Sequence, residues 1–182
     1  MNKSIKTVSS KISRTKSRPF TVSLIEDNQL YLKGIVRKIK NSIPNIKLSA
    51  FSRSATFLGS LRHKPEIAIV DFNLDHRSEM EGIELIRELK SKSPNTKIIV
   101  LTSDGSISNA VRCINEGAIN YVIKEEKAID KIAEEIKSLM AVIIKDLERE
   151  AISKRIHLAI GAVAIVAIGL LAINSLDPNL LE

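Results

Sequence analysis

From Phe20 to about Met140 the chain alternates short apolar runs with longer stretches of helical period, and the runs end on polar side chains. Phe20 to Ile25 gives way to Glu26-Asp27-Asn28, Ile67 to Val70 to Asp71, Lys97 to Leu101 to Thr102, and Tyr121 to Ile123 to Lys124, while Ile46 to Phe51 forms a further run. Runs this short, apolar on both faces, are those of strands covered from both sides, the condition of a parallel sheet. Between them Leu32, Ile35, Val36, Ile39 and Ile43 recur at helical spacing behind Asn28, a good N-cap. A short helix is expected from about Ser54 to Leu61, a third through Ile83, Ile86 and Leu89, and a fourth through Ile107, Val111 and Ile114. Gly117 stands where a left-handed glycine closes that fourth helix. A last helix begins near Ala128. Five such βα units predict an α/β fold, a five-stranded parallel sheet with helices on both faces.

The net charge of +7 invites a nucleic-acid reading, so its distribution matters. Lys3, Lys6, Lys11, Arg14, Lys16 and Arg18 lie in residues 1–18, which hold no acidic residue. Without those six the 28 basic residues fall to 22, against 21 acidic. The basicity therefore belongs to a tail, expected to be a disordered arm because it is rich in Ser and Lys and poor in apolar side chains. No apolar segment follows it directly, so it does not read as a secretory signal. A single cysteine, Cys113, excludes an internal disulfide framework.

On an open parallel sheet chemistry collects beyond the carboxyl ends of the strands. Glu26, Asp27, Asp71, Thr102 and Lys124 all fall there, although they are spread over a hundred positions of sequence. Three carboxylates at one edge repel one another and demand a cation, most naturally Mg²⁺ with its preference for oxygen ligands. A lysine and a hydroxyl then offer donors to a second anion.

With those residues the chain resembles the response-regulator receiver family over about residues 20–140. The resemblance rests on Glu26-Asp27 after the first strand, IVD ending at Asp71, LTS containing Thr102, and GAINYVIK ending at Lys124. It implies the flavodoxin-like receiver fold and an Asp71 that accepts a phosphoryl group from a histidine kinase or phosphotransfer protein. Asp27 and Asp71 are then expected to hold Mg²⁺ directly, Glu26 through water, with the backbone carbonyl of Asn73 completing the protein ligands. Lys124 is expected to pair with the phosphoryl oxygens, and Thr102 with Tyr121 to form the switch. Asn73 and Asp104 occupy the positions that tune dephosphorylation. A protein of this kind catalyses only its own phosphorylation and dephosphorylation and counts as no enzyme towards an outside substrate.

Two departures stand out. The loop DFNLDHRSEMEG is long and charged, with Asp75 in place of a common proline and Gly82 about three residues late. Glu125 follows Lys124 where many members carry proline. A rival, an aspartyl-phosphate phosphatase of the haloacid dehalogenase type, places an Asp-x-Asp pair after its first strand, whereas Asp71-Phe72-Asn73 follows the third.

After the receiver, Ile129, Ile132, Ile136, Leu139 and Ile143 continue a stripe three and four apart, and Leu147 extends it. Up to Met140 this is the core face of the last receiver helix. Residues 141–155 form a helical linker whose stripe leaves a homodimer open. Leu158 to Ile173 then carries no polar side chain. Its sixteen residues span roughly 24 Å as helix, so the uncharged stretch 156–176 is needed to cross a ~30 Å hydrocarbon core. It reads as a transmembrane tail anchor followed by a short tail, 177–182. Lys154 and Arg155 before it place the receiver on the cytoplasmic face of the inner membrane. The downstream partner is expected to be a protein, with no DNA-binding output foreseen. The alternative to a phosphorylated regulator is a membrane-tethered receiver-fold scaffold that takes no phosphate.

Overall fold

The structure, a computed structural model, describes residues 19–74 and 82–176. The basic arm expected over 1–18, the loop segment 75–81 with Asp75, and the tail 177–182 lie outside the described residues. By its contacts the chain divides into two compact units, residues 1–141 and 142–182.

The first unit is built on five parallel strands, β1 (Phe20–Ile25), β2 (Ile46–Phe51), β3 (Ile67–Asp71), β4 (Lys97–Thr102) and β5 (Ala118–Ile123), in the order β2-β1-β3-β4-β5. They are joined by α1 (Gln29–Ser42), α2 (Ser54–Ser60) with a 3-10 turn at Leu61–His63, α3 (Gly82–Lys92) and α4 (Ile107–Asn115). A final helix, α5 (Ala128–Leu176), follows β5. Strands alternate their side chains between faces, and the central ones are buried on both. Ala68 and Val70 of β3 join Ile98 and Val100 of β4 in a core with Phe57 of α2, Leu85, Ile86 and Leu89 of α3 and Cys113 of α4. Ile67, Ile69, Ile99 and Leu101 are as completely buried on the opposite face. There α1 supplies Leu32, Ile35 and Ile39, and the start of α5 supplies Ile132, Ile136 and Met140. A Lys38–Asp130 ion pair ties those two helices together.

Two elements differ from the sequence reading in instructive ways. β5 begins at Ala118, three residues before the apolar run at Tyr121. Gly117 turns the chain with φ +101°, open to glycine, and a bulge between Ile98 and Ile99 lets Ile99 pair with Asn120. The polar Asn120 inside the strand hid its start. In α4 the stripe of Ile107, Val111 and Ile114 has the helical period but faces solvent, at 81%, 53% and 46% exposure, and Cys113 alone of that helix is buried. The part of α5 within the first unit buries Ala128, Ile132, Ala133, Ile136 and Met140. The covered face is thus turned slightly from the predicted stripe, leaving Ile129 and Leu139 half-buried.

The second unit is helix throughout its described length, and every side chain from Ala151 to Ile173 is exposed, Leu158 at 77% and Ile165 at 73%.

Candidate functional site

Strand register brings the polar ends together. Ile25 pairs with Val70, Asp71 with Leu101, and Thr102 with Ile123, so the residues that follow each strand reach one edge. Two backbone bonds extend the sheet past that edge: Phe72 N–H to Leu101 O at 2.7 Å and Lys124 N–H to Thr102 O at 2.6 Å. Asn28 caps α1 as its sequence suggests, its Oδ1 accepting from Leu30 N–H and Tyr31 N–H at 3.0 and 3.1 Å. The helix start thereby fixes the Glu26-Asp27 corner, and Asn28 N–H donates back to Glu26 Oε1 at 3.1 Å. Gly82 fixes the other side of the pocket. A Cβ there would stand 2.4 Å from Phe72 O, so no other residue lets α3 begin so close to the segment after Asp71.

Glu26 and Asp71 are completely buried. The Lys124 ammonium sits 2.8 Å from Asp71 Oδ2 and 2.8 Å from Glu26 Oε2. Towards Asp71 the contact is a directed hydrogen bond; towards Glu26 it is an ion pair without hydrogen-bond alignment, and Glu26 Oε2 accepts no other bond. Burial, aided by the charge of Asp71, pushes the Glu26 carboxyl up to about 7, outweighing the pull of Lys124 and of Asn28 N–H. Burial also works against the charged form of Lys124, but the hydrogen bond to Asp71 and the charges of Asp71 and Glu26 prevail and hold it above the ordinary lysine value.

Ligand oxygens of Glu26, Asp27 and Asp71 lie within 4.8 Å of one another. A buried carboxylate oxygen with no hydrogen bond, in a trio of carboxylates this close, is what a hard divalent cation needs, so the residues fit Mg²⁺.

Around the pocket the remaining predicted residues are brought near, but engaged with one another. Asp71 Oδ1 accepts from Asn73 N–H at 3.1 Å. The hydroxyl of Thr102, itself buried, donates to Asn73 Oδ1 at 2.7 Å and accepts from Asp104 N–H at 3.0 Å. Asp104 turns to the start of α4, where its carboxylate accepts from Ser106 N–H at 2.8 Å and from Asn109 Nδ2 at 2.7 Å. Tyr121 is half-buried, and its hydroxyl donates to Asp104 O at 2.7 Å. Burial pushes the Tyr121 phenol up. Sequence reasoning missed Tyr31, whose ring centre lies 5.1 Å from the Lys124 ammonium. Its signal was an aromatic four residues after Asp27, outside the apolar stripe of α1.

The sequence profile of the response regulator receiver domain matches residues 22–137, from β1 into α5, and so takes in every residue of this pocket. The chain belongs to the response regulator receiver domain family. Among its relatives is the photosynthetic apparatus regulatory protein RegA of Rhodovulum sulfidophilum, 27% identical over 110 residues, which are 60% of this chain and 58% of RegA. The transcriptional regulatory protein DegU of Brevibacillus brevis is 26% identical over 118 residues, 64% of this chain and 48% of DegU. The chain thus spans about half the length of these relatives. In fold it resembles the receiver domain of a LuxO-type repressor from Vibrio parahaemolyticus, with a TM-score of 0.62, 23% identity and coverage of 74% of this chain and 97% of that one. A CheY-like receiver from Methanospirillum hungatei gives 0.60, 21%, 72% and 98%. Receiver domains bind Mg²⁺ at an acidic cluster, and Glu26, Asp27 and Asp71 form an acidic group close enough to hold such an ion.

Proposed function

We propose that this receiver is a two-component response regulator that takes a phosphoryl group on Asp71 from a histidine kinase or phosphotransfer protein. The observation that carries the proposal is the ammonium of Lys124, set 2.8 Å from an oxygen of Asp71 in a carboxylate trio of which Glu26 and Asp71 are buried. In the reaction an Asp71 carboxylate oxygen bonds to phosphorus as the phosphorus–nitrogen bond of phosphohistidine breaks, and the leaving imidazole takes up a proton. Asp27, Asp71 and the Asn73 carbonyl, with Glu26 acting through water, would hold Mg²⁺, which would neutralise phosphoryl charge when bound. Lys124 moves from carboxylate to phosphoryl oxygen, a stronger anion within the same reach. Thr102 gives up its bond to Asn73 to meet another phosphoryl oxygen. Because Thr102, Asp104 and Tyr121 form one hydrogen-bonded chain, that turn is felt at Tyr121 on β5.

The output surface is then α4 and β5, where Ile107, Val111 and Ile114 lie exposed beside Ile119 and Ile123, at 40% and 41% exposure. An aliphatic surface of this kind suits a protein partner and not a polyanion. Asp104, spent on the N-terminus of α4, acts on dephosphorylation through the position of that loop. The uncharged segment 156–176 anchors the receiver to the cytoplasmic face of the inner membrane. The all-round exposed apolar surface of residues 158–173 supports this reading, as does the Lys154-Arg155 pair before it. The protein is no enzyme in the ordinary sense, since the only bond it makes and breaks is on its own aspartate.

The test is intact mass after incubation of the whole chain, in detergent, with acetyl phosphate and Mg²⁺. One phosphoryl group is expected on the native chain, and none on Asp71→Ala or without Mg²⁺. An unmodified native chain, under conditions where another receiver is phosphorylated, would instead make this a constitutive tethered scaffold.

A further inference from the structure

Among the described residues Tyr31 is the one aromatic ring set against the pocket's cation, and the phosphorylation chemistry above does not use it. It occupies the first turn of α1, with its N–H on the Asn28 cap, so its backbone is fixed by the same corner that places Glu26 and Asp27. Its ring centre is 5.1 Å from Lys124 Nζ, within the range of a cation–π contact. Its hydroxyl is buried and makes no hydrogen bond, so no polar tie of its own explains why it is held there.

Among the described residues Lys124 meets Asp71, Glu26 and this ring. A divalent cation bound by the carboxylates competes for two of them, because a carboxylate that neutralises a dication attracts an ammonium less, and the dication repels it. The ring is unaffected by that competition. We propose that Tyr31 is a positioning residue, whose ring keeps the Lys124 ammonium beside Asp71 once a divalent metal has taken the carboxylates. A lysine without such a hold would swing to solvent and have to be recovered each time a phosphoryl group arrived. This proposal rests on the reading of Asp71 as acceptor, and its test separates the two.

The first readout needs no phosphorylation. In the whole chain in detergent, the ε-methylene protons of Lys124 are expected at high field from the Tyr31 ring current, and to stay there when Mg²⁺ is added. Tyr31→Phe keeps the high-field shift and Tyr31→Leu loses it. The second readout is the rate of phosphorylation by acetyl phosphate at saturating Mg²⁺. It should fall about fivefold to thirtyfold in Tyr31→Leu, the factor a desolvated cation–π contact supplies, and be restored in Tyr31→Phe. Backbone amide spectra of the variants, unchanged away from α1, show that each is folded. If Mg²⁺ abolishes the high-field shift in the native chain, or if Tyr31→Leu phosphorylates at the native rate, the proposal is wrong. A native chain that takes no phosphoryl group refutes the acceptor reading, while the proton shifts still report where the ring holds the lysine.

Discussion

The pocket of the receiver and the distal half of α5 are opposite departures from ordinary protein surface. In the pocket, Glu26 and Asp71 are ionisable groups with no exposure at all, where apolar side chains belong. Along α5, sixteen residues from Leu158 to Ile173 carry no polar side chain and are exposed throughout, where polar side chains belong. Both arrangements are costly in water, and each points to something that removes the cost. The buried carboxylates call for positive charge, and Lys124 supplies part of it. The exposed aliphatic surface calls for cover, for which we propose a bilayer. A soluble core strand such as Ile98 to Leu101 is as apolar as the helix, yet it is wholly buried by its own fold. Composition alone thus does not separate the two. What separates them is whether the rest of the chain offers a covering surface.

The sharpest way to break the comparison is to delete residues 156–182. The full chain is expected in the membrane pellet of fractionated cells and the truncated one entirely in the supernatant, with the amide spectrum of the receiver unit unchanged. A truncated chain that still sediments with membranes would put the attachment in the receiver or its basic arm. A full chain that stays in the supernatant would show that protein, and not lipid, covers the helix.

On the pocket side the largest effect is expected from Lys124→Met, which removes the cation and leaves two buried carboxylates facing each other. Such a loss costs about 3–5 kcal/mol. Urea unfolding at pH 8 in EDTA should show it, and Mg²⁺ should recover most of it by standing in for the missing charge. If Mg²⁺ restores nothing, the carboxylates are not a metal site.

The strand-end residues of this pocket were legible in the sequence. Short runs apolar on both faces mark parallel strands, and Asp71, Thr102 and Lys124 each stand where such a run stops. The same reasoning yields the Asn28 cap. What the sequence left open depends on rotation and on loops. The period of Ile107, Val111 and Ile114 gives the helix but not which way its stripe points, since outward and inward faces have one spacing. Tyr31 could be matched with Lys124 only once the turn of α1 about its axis was known. The bonds from Thr102 to Asn73 and from Asp104 to the start of α4 belong to loop geometry, which periodicity does not reach.

The next effect is a dependence on pH. In the folded chain the Glu26 carboxyl is raised from 4.5 to about 7. Between those values the folded state keeps a proton that the unfolded chain has released, so stability falls as pH rises through that window. The loss amounts to on the order of 3 kcal/mol by the time pH passes the folded value. Metal-free unfolding from pH 4.5 to 8 should trace this decline, and Glu26→Gln should flatten it. Mg²⁺ prefers the ionised carboxylate, so its apparent affinity should climb through about pH 7 and the holo profile should be nearly level. A metal-free stability that rises across the window would contradict the buried, cation-hungry pocket described here.

The smallest effect sharpens the comparison most finely, because it separates the pocket's scaffold from its charge. Asn28→Ala removes the acceptor for Leu30 N–H and Tyr31 N–H and should cost about 1 kcal/mol, with or without Mg²⁺. Asn28→Asp keeps that cap, and a negative charge at a helix N-terminus is favourable by itself. Here it would be a further carboxylate beside Glu26 and Asp27. If the pocket is dominated by its repelling charges, Asn28→Asp is less stable than the native chain in EDTA and recovers with Mg²⁺, whereas Asn28→Ala shows no such recovery. If the helix end dominates, Asn28→Asp is at least as stable as the native chain in EDTA. Urea midpoints of the three chains in both buffers decide between the two, and with them whether it is charge or scaffold that makes this corner of the receiver expensive.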